Sequence, residues 1–151
     1  MHIRSGDIFK SSHNNPKIQR SGQPPLQFFL KAIASRQWSE VTIVTYSPKE
    51  RWLNPTYTAL EALNQKGKLG PNVNMFKNRT LHDDVRSMLC ADALALSRSS
   101  LHFMTTAFTR ASTFFIPSEC GPGKYNRASK RLQEHPKVLV ENTTLLLLEK
   151  P

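Results

Sequence analysis

Apolar residues along the chain follow two different spacings, and the two alternate. Leu26, Phe29, Leu30 and Ile33 recur at intervals of three and four residues, which is the spacing of an amphipathic helix. Val41–Tyr46 is instead an unbroken run of mainly β-branched residues, a composition typical of a buried strand. The first of these segments therefore predicts a helix, and the second predicts a strand.

Further helices and strands continue this alternation. A helix is predicted to begin at Asn54-Pro55, because asparagine is a good N-cap and proline suits the first helical turn. Thr80 is expected to cap another helix. The buried stripe of that helix is predicted to be Leu81, Val85, Met88 and Leu89. Cys90 continues the apolar pattern and is expected to be a small buried residue. A further helix is predicted over residues 101–108, and strands are predicted at the start of 1–9 and at 73–76, 93–96, 113–117, 138–140 and 145–148.

The strict alternation of strand and helix predicts the fold class. Parallel strands joined through helices form right-handed βαβ units. We therefore expect an α/β fold with a doubly wound, mostly parallel sheet, in a single domain over residues 1–151. Ligands of such sheets bind outside the carboxyl ends of the strands. The loops expected to share that rim follow Phe9, Tyr46, Phe76 and Leu96.

Composition and charge limit the classes of partner that the chain is expected to bind. The 151 residues are 38% apolar and 21% charged, which fits one globular domain. A net charge of +10 favours an anionic partner: a nucleotide, nucleic acid, anionic glycan or membrane headgroup. The basic residues are scattered apart from a group at 124–131, which weakens the nucleic-acid interpretation. No apolar run is long enough to cross a membrane, and no signal peptide is expected at the start.

The first residues carry the most distinctive polar pattern. His2 and Arg4 alternate, so in a strand they share one face, and Gly6 then allows a turn. An arginine at a strand end is suited to bidentate recognition of phosphate or carboxylate. The alternative is a surface strand whose arginine is solvated. Asp7 is a candidate catalytic base, although orienting Arg4 or capping a turn is the favoured role.

A serine-rich loop is the second candidate site. Ser97-Arg98-Ser99-Ser100 follows a predicted strand and opens a predicted helix. Helix N-termini bind anions through free N–H groups and the helix dipole. The alternative is that Ser99 or Ser100 is only an N-cap. Together with Arg4, this loop would form a pyrophosphate clamp.

Metal and P-loop chemistry have weaker support. Asp83 and Asp84 are adjacent and point to different sides of a helix, so they do not form a DxD metal site, and carboxylates favour the first helical turn in any case. The five histidines lack metal-ligand spacing. Gly121-Pro122-Gly123-Lys124 is not a P-loop, because Ser118 stands where the first glycine is needed and Tyr125 where serine or threonine is needed. No metal site is therefore expected.

Taken together, the ordered motifs resemble a known enzyme family. His2-Ile3-Arg4-Ser5-Gly6-Asp7 resembles the first motif of the GDP-fucose-dependent fucosyltransferases, which include the α-1,2, α-1,6 and protein O-fucosyltransferases. Residues 80–91 and 93–100 resemble the later motifs, an aspartate-containing helix and then a Ser-x-Ser-Ser loop. The resemblance covers roughly residues 1–117, in the family's order.

The resemblance implies a fold and an activity. The fold would be GT-B, two Rossmann-like domains across a cleft, with this chain as the C-terminal, donor-binding half and the acceptor-side domain absent. The reaction would be inverting transfer of fucose from GDP-fucose to a glycan or protein hydroxyl, with no metal or other cofactor. The location would be the Golgi or ER lumen.

The resemblance also implies roles for individual residues. Arg4 would contact the pyrophosphate, with His2 beside it on the nucleotide side. Asp84 would contact the nucleoside or Arg4. Further substrate contacts would come from Ser97, Ser99 and Ser100. Many relatives carry a second arginine in the first motif, whereas Ser5 stands there in this chain.

Two other functions stay open from the residues themselves. One is a non-catalytic fragment that binds a nucleotide or an anionic glycan. The other, weaker one is a basic nucleic-acid-binding domain, in which binding would depend strongly on salt.

Overall fold

A computed structural model describes residues 1–6, 24–97, 100–117, 137–139 and 145–149. Its helices and strands in chain order are β1 (His2–Arg4), α1 (Leu26–Ala34), β2 (Val41–Tyr46), α2 (Pro55–Gln65), β3 (Val73–Lys77), α3 (Leu81–Leu89), β4 (Ala93–Ala95), α4 (Ser100–Phe108), β5 (Thr113–Pro117), β6 (Lys137–Leu139) and β7 (Leu145–Glu149). A short 3₁₀ turn, Glu50–Trp52, follows β2. The predicted order of elements is confirmed for these residues.

Both predicted helix caps are present. The Asn54 side chain accepts a hydrogen bond from the Thr56 N–H at 2.9 Å, with Pro55 as the first residue of α2. The Thr80 hydroxyl accepts from the Asp83 N–H at 3.1 Å. These bonds satisfy N–H groups that have no partner within the helix.

The first sheet is parallel and has the order β1-β2-β3. Arg4 pairs with Tyr46, and Val44 pairs with both His2 and Phe76. Residues paired in this way point to the same face of a sheet. His2, Arg4, Val44, Tyr46 and Phe76 therefore share one face, as expected for His2 and Arg4.

The second sheet corrects the prediction of one mostly parallel sheet. Its order is β4-β5-β7-β6, and only β4 and β5 run parallel, whereas β7 is antiparallel to both β5 and β6. Only residues 140–144 separate β6 from β7. A parallel pairing needs a crossover of a dozen or more residues, so this connection permits only an antiparallel pair.

Helices cover both faces of the strands. One apolar cluster joins α1 and α2 to the first sheet and also includes Ala95 and Phe115 of the second sheet. The other cluster joins Met88 of α3 to Leu94, Leu96 and Phe114. Along β4 and along β5, successive residues therefore point into different cores, because side chains alternate between the two faces of a strand. The arrangement is a mixed α/β fold with parallel strands in its sheets, consistent with a Rossmann-like fold.

The buried side of α3 differs from the predicted stripe. Met88 is buried as predicted, but Leu81 is 67% exposed and Asp84 is buried in its place. Cys90, which was expected to be buried, is exposed at the end of the helix. The helix is therefore rotated relative to its apolar pattern, and the ion pair of Asp84 with Arg79 explains how a carboxylate is accommodated inside.

Candidate functional site

β1 and β4 belong to different sheets and contribute to one core, through Ile3 and Ala95. Met1, which precedes β1, and Ala93, which begins β4, both line one cavity of about 470 Å³. In the parallel first sheet, the carboxyl ends of β1, β2 and β3 share one edge. Open α/β sheets bind ligands outside this carboxyl edge.

Arg4 is the last residue of β1, at this carboxyl edge. It is partly buried, while His2 before it is buried on the same face. Ile3 between them is fully buried in the core on the opposite face. The sequence prediction that His2 and Arg4 share a face at a strand end is confirmed. Asp7 lies outside the described residues.

A buried hydrogen-bond network holds the end of β1 in place. The Ser5 and Thr45 hydroxyls are 2.7 Å apart, and the Thr45 hydroxyl donates to the Ile3 carbonyl at 2.7 Å. The Asn54 N–H donates to the Ser5 hydroxyl at 3.0 Å, and the Asn54 side-chain amide donates to the Arg4 carbonyl at 2.9 Å. Ser5 is buried in this network, so a second arginine would find no room here without disrupting it.

Gly6 takes a left-handed backbone conformation directly after this network. Its φ is +73°, a left-handed conformation that side chains with a Cβ rarely adopt. This conformation suits the turn expected from the Ser-Gly-Asp sequence, whose following residues lie outside the described residues.

The serine-rich loop begins after β4 of the second sheet. Ser97 is buried directly after the strand, and Ser100 is the first residue of α4. Residues 98 and 99 lie outside the described residues, and the predicted ligand contacts of Ser97, Ser99 and Ser100 stay predictions. The structure places Arg4 at the carboxyl end of β1 and Ser97 directly after the carboxyl end of β4.

Asp84 lies in a separate polar cluster on α3. Its carboxylate is 3.5 Å from the Arg79 Nε, while the Arg79 Nη2 donates to the Asp83 carbonyl and the Ser87 hydroxyl, both at 2.7 Å. Burial raises the pKa of Asp84 above its usual value, and the Arg79 guanidinium opposes this rise only in part. The described partners of Asp84 do not include Arg4, and they support a structural role for this carboxylate.

The raised pKa of Asp84 and the lowered pKa of Asp83 predict opposite pH dependences of the free energy of unfolding. Because the folded state binds the Asp84 proton more tightly, the free energy of unfolding falls as pH rises from the unfolded pKa near 3.8 through the folded pKa. The free energy of unfolding of the wild type should therefore fall relative to that of Asp84→Asn over this window. Urea denaturation of both proteins from about pH 3.5 to about pH 7 measures the difference.

Asp83→Asn is the matched control. The Thr80 hydroxyl lowers the pKa of Asp83, so the stabilising contribution of this exposed carboxylate is present at neutral pH and is lost as pH falls through the folded pKa. The wild type should therefore gain stability relative to Asp83→Asn only as pH rises to about 4, and the difference should stay constant above that pH. Parallel stability curves for the wild type and Asp84→Asn would contradict the assignment.

Sequence reasoning missed two residues near the rim. Tyr46 is the last residue of a strand that the sequence predicts to be buried, yet its side chain is 55% exposed beside Arg4. Asn54 was recognised only as a helix cap, although it also holds the Arg4 carbonyl. The sequence position of Tyr46 at the end of a strand, where the rim begins, was the signal that could have identified it.

Within the residues that the structure describes, no group of three or more histidine, cysteine, aspartate or glutamate side chains could hold a metal ion. No helix in the same residues combines the length and the apolar character needed to span a membrane.

Comparison with models of known protein families, with curated proteins and with solved structures finds no match for this chain.

Proposed function

We propose that this chain binds the nucleotide-sugar donor of a fucosyltransferase-type reaction. The donor would be GDP-fucose, and the chain would act as the donor-binding half of an inverting GT-B enzyme of the secretory pathway. The sugar would pass to a hydroxyl of a glycan or protein, with no metal required. The proposal combines the resemblance of the motifs to this family with the geometry of the rim.

One observation carries the proposal. Arg4 ends β1, at the carboxyl edge of a parallel sheet, and Ser97 directly follows β4. In a Rossmann-like strand order, the carboxyl ends of the first and fourth strands flank the point where nucleotides bind, so Arg4 and Ser97 would lie on either side of the ligand. The net charge of +10 favours an anionic ligand of this kind.

Arg4 would contribute most of the chemistry in this half of the enzyme. Its guanidinium can donate two parallel hydrogen bonds to the pyrophosphate, and it would stabilise the negative charge that develops on departing GDP. Backbone N–H groups at the start of α4 would add further donors. His2, on the same face as Arg4, would lie on the nucleotide side, and Asp7 stays the candidate catalytic base that the sequence suggests.

Replacing Arg4 tests the proposal. Arg4→Ala should weaken GDP binding by about ten- to hundredfold, because charge-assisted hydrogen bonds contribute about 1.5–3 kcal/mol. Arg4→Lys should lose nearly as much, because lysine cannot form the planar fork. Isothermal titration calorimetry with GDP measures both variants against the wild type.

Arg110→Ala is the matched control, since it removes the same charge from the opposite edge of the sheets. Arg110 pairs with Asp92 at 3.2 Å near the start of β4, and its removal should leave GDP affinity unchanged.

Equal affinity of the wild type and Arg4→Ala would refute the proposed site. GDP binding without turnover of GDP-fucose, in an assay with mixed acceptors, would instead favour a binding module. Salt-sensitive binding of random oligonucleotides that GDP cannot displace would favour a nucleic-acid-binding domain.

A further inference from the structure

Tyr46 presents an open aromatic ring at the candidate nucleotide rim. It is the last residue of β2 and the register partner of Arg4, so both side chains project from the same face of adjacent strands. The ring is 55% exposed. A large aromatic side chain therefore lies beside the arginine in a position that a ligand can reach.

The exposure of Tyr46 is local to the carboxyl end of the strand. Val44, two residues earlier on the same face, is buried. The covering of this face therefore ends between Val44 and Tyr46. Phe76, which pairs with Val44, is exposed as well, but the Arg79 guanidinium lies 4.9 Å from the centre of its ring. Tyr46 is the aromatic ring of this face nearest to Arg4 along the sheet.

A nucleoside diphosphate has the two chemical features that this pair can recognise. Its pyrophosphate suits the planar guanidinium fork, and its flat base can stack on an aromatic ring. Adjacent parallel strands are about 5 Å apart, so an arginine and a tyrosine in register can contact connected parts of one small molecule. The pair would therefore recognise a nucleotide better than an isolated phosphate or sugar.

We propose that the Tyr46 ring is the platform on which the base of a nucleoside diphosphate stacks while Arg4 holds its pyrophosphate. This inference rests on the proposed function, because it assigns the base to one side of the same site. Stacking is tolerant of base identity, so Tyr46 would supply affinity for the nucleoside, and discrimination between bases would come from other groups.

Two probes separate the base contact from the phosphate contact. Calorimetry of the full chain with GDP and with inorganic pyrophosphate compares the wild type, Tyr46→Ala, Tyr46→Phe and Arg4→Ala. Tyr46→Ala should weaken GDP binding about tenfold and leave pyrophosphate binding unchanged, because only GDP carries a base. Tyr46→Phe should retain GDP affinity, since the ring is kept. Arg4→Ala should weaken the binding of both probes.

Phe108→Ala is the matched control. Phe108 is 77% exposed at the end of α4, so its loss removes an exposed aromatic ring from outside the proposed contact and should change neither affinity. Unchanged GDP affinity in Tyr46→Ala, with Arg4→Ala impaired, would overturn the base platform alone. An equal loss for GDP and pyrophosphate in Tyr46→Ala would also overturn it, because the effect would then be structural. Binding of neither probe by the wild type would refute both the platform and the proposed function.

Discussion

Phe115→Ala is expected to lower the free energy of unfolding by about 3–5 kcal/mol, the usual cost of removing a buried phenylalanine. Phe115 is 2% exposed on β5 of the second sheet, yet it packs in the core that α1 and α2 form with the first sheet. Its ring also meets Trp38 edge-on, with the ring centres 6.0 Å apart. Its loss would open a cavity where the two sheets share a core. Urea denaturation followed by circular dichroism measures the change.

Two other phenylalanines make this prediction specific. Phe114→Ala, on the opposite face of the same strand, should cost a similar amount because Phe114 is buried in the second core. Phe108→Ala should change stability by less than about 0.5 kcal/mol, as expected for an exposed side chain. A cost below about 1 kcal/mol for Phe115→Ala would show that the two sheets do not share the core described.

Asn54→Ala is expected to cost about 1–3.5 kcal/mol, more than the loss of an ordinary helix cap. The variant loses the cap of α2, which contributes about 0.5–2 kcal/mol. It also loses the bond from the side-chain amide to the Arg4 carbonyl, and a hydrogen bond of this kind contributes about 0.5–1.5 kcal/mol more. Thermal or urea unfolding of the variant measures the total.

Asn54→Ser and Thr80→Ala separate the two contributions. Asn54→Ser keeps a side chain that can cap the helix but cannot reach the Arg4 carbonyl, so it should lose only the second contribution. Thr80→Ala removes the cap of α3, whose hydroxyl is hydrogen-bonded to Asp83, and should cost about 1 kcal/mol. If Asn54→Ala costs no more than Thr80→Ala, the bond to the Arg4 carbonyl does not contribute to stability.

The local structure of the chain was largely predictable. The bounds of β2 were predicted as observed, Val41–Tyr46, because a β-branched run suits an extended, buried backbone. Asn54 and Thr80 were identified as caps because a short polar side chain before an apolar helix can satisfy its first N–H groups. The placement of His2 and Arg4 on one face followed from the two-residue period of a strand.

Burial and pairing were predicted less well, because they depend on neighbours distant in the sequence. The apolar pattern of α3 indicated Leu81 as a buried residue, but Asp84 is buried instead, beside an arginine that comes from the end of β3. Cys90 was likewise predicted to be buried because it continues this apolar pattern, but the fold leaves it exposed. The pattern identifies which side chains prefer to leave water, but not which of them the rest of the fold covers.

The sequence by itself thus determined the order and type of the helices and strands, their caps, and the place of Arg4 at a strand end. Each of these depends on backbone preferences and hydrogen bonds between residues close in the chain. Only the tertiary structure decided that the strands form two sheets with a shared core. It also decided that Tyr46 stays open beside Arg4, because strand pairing and helix packing join residues that are far apart in the chain.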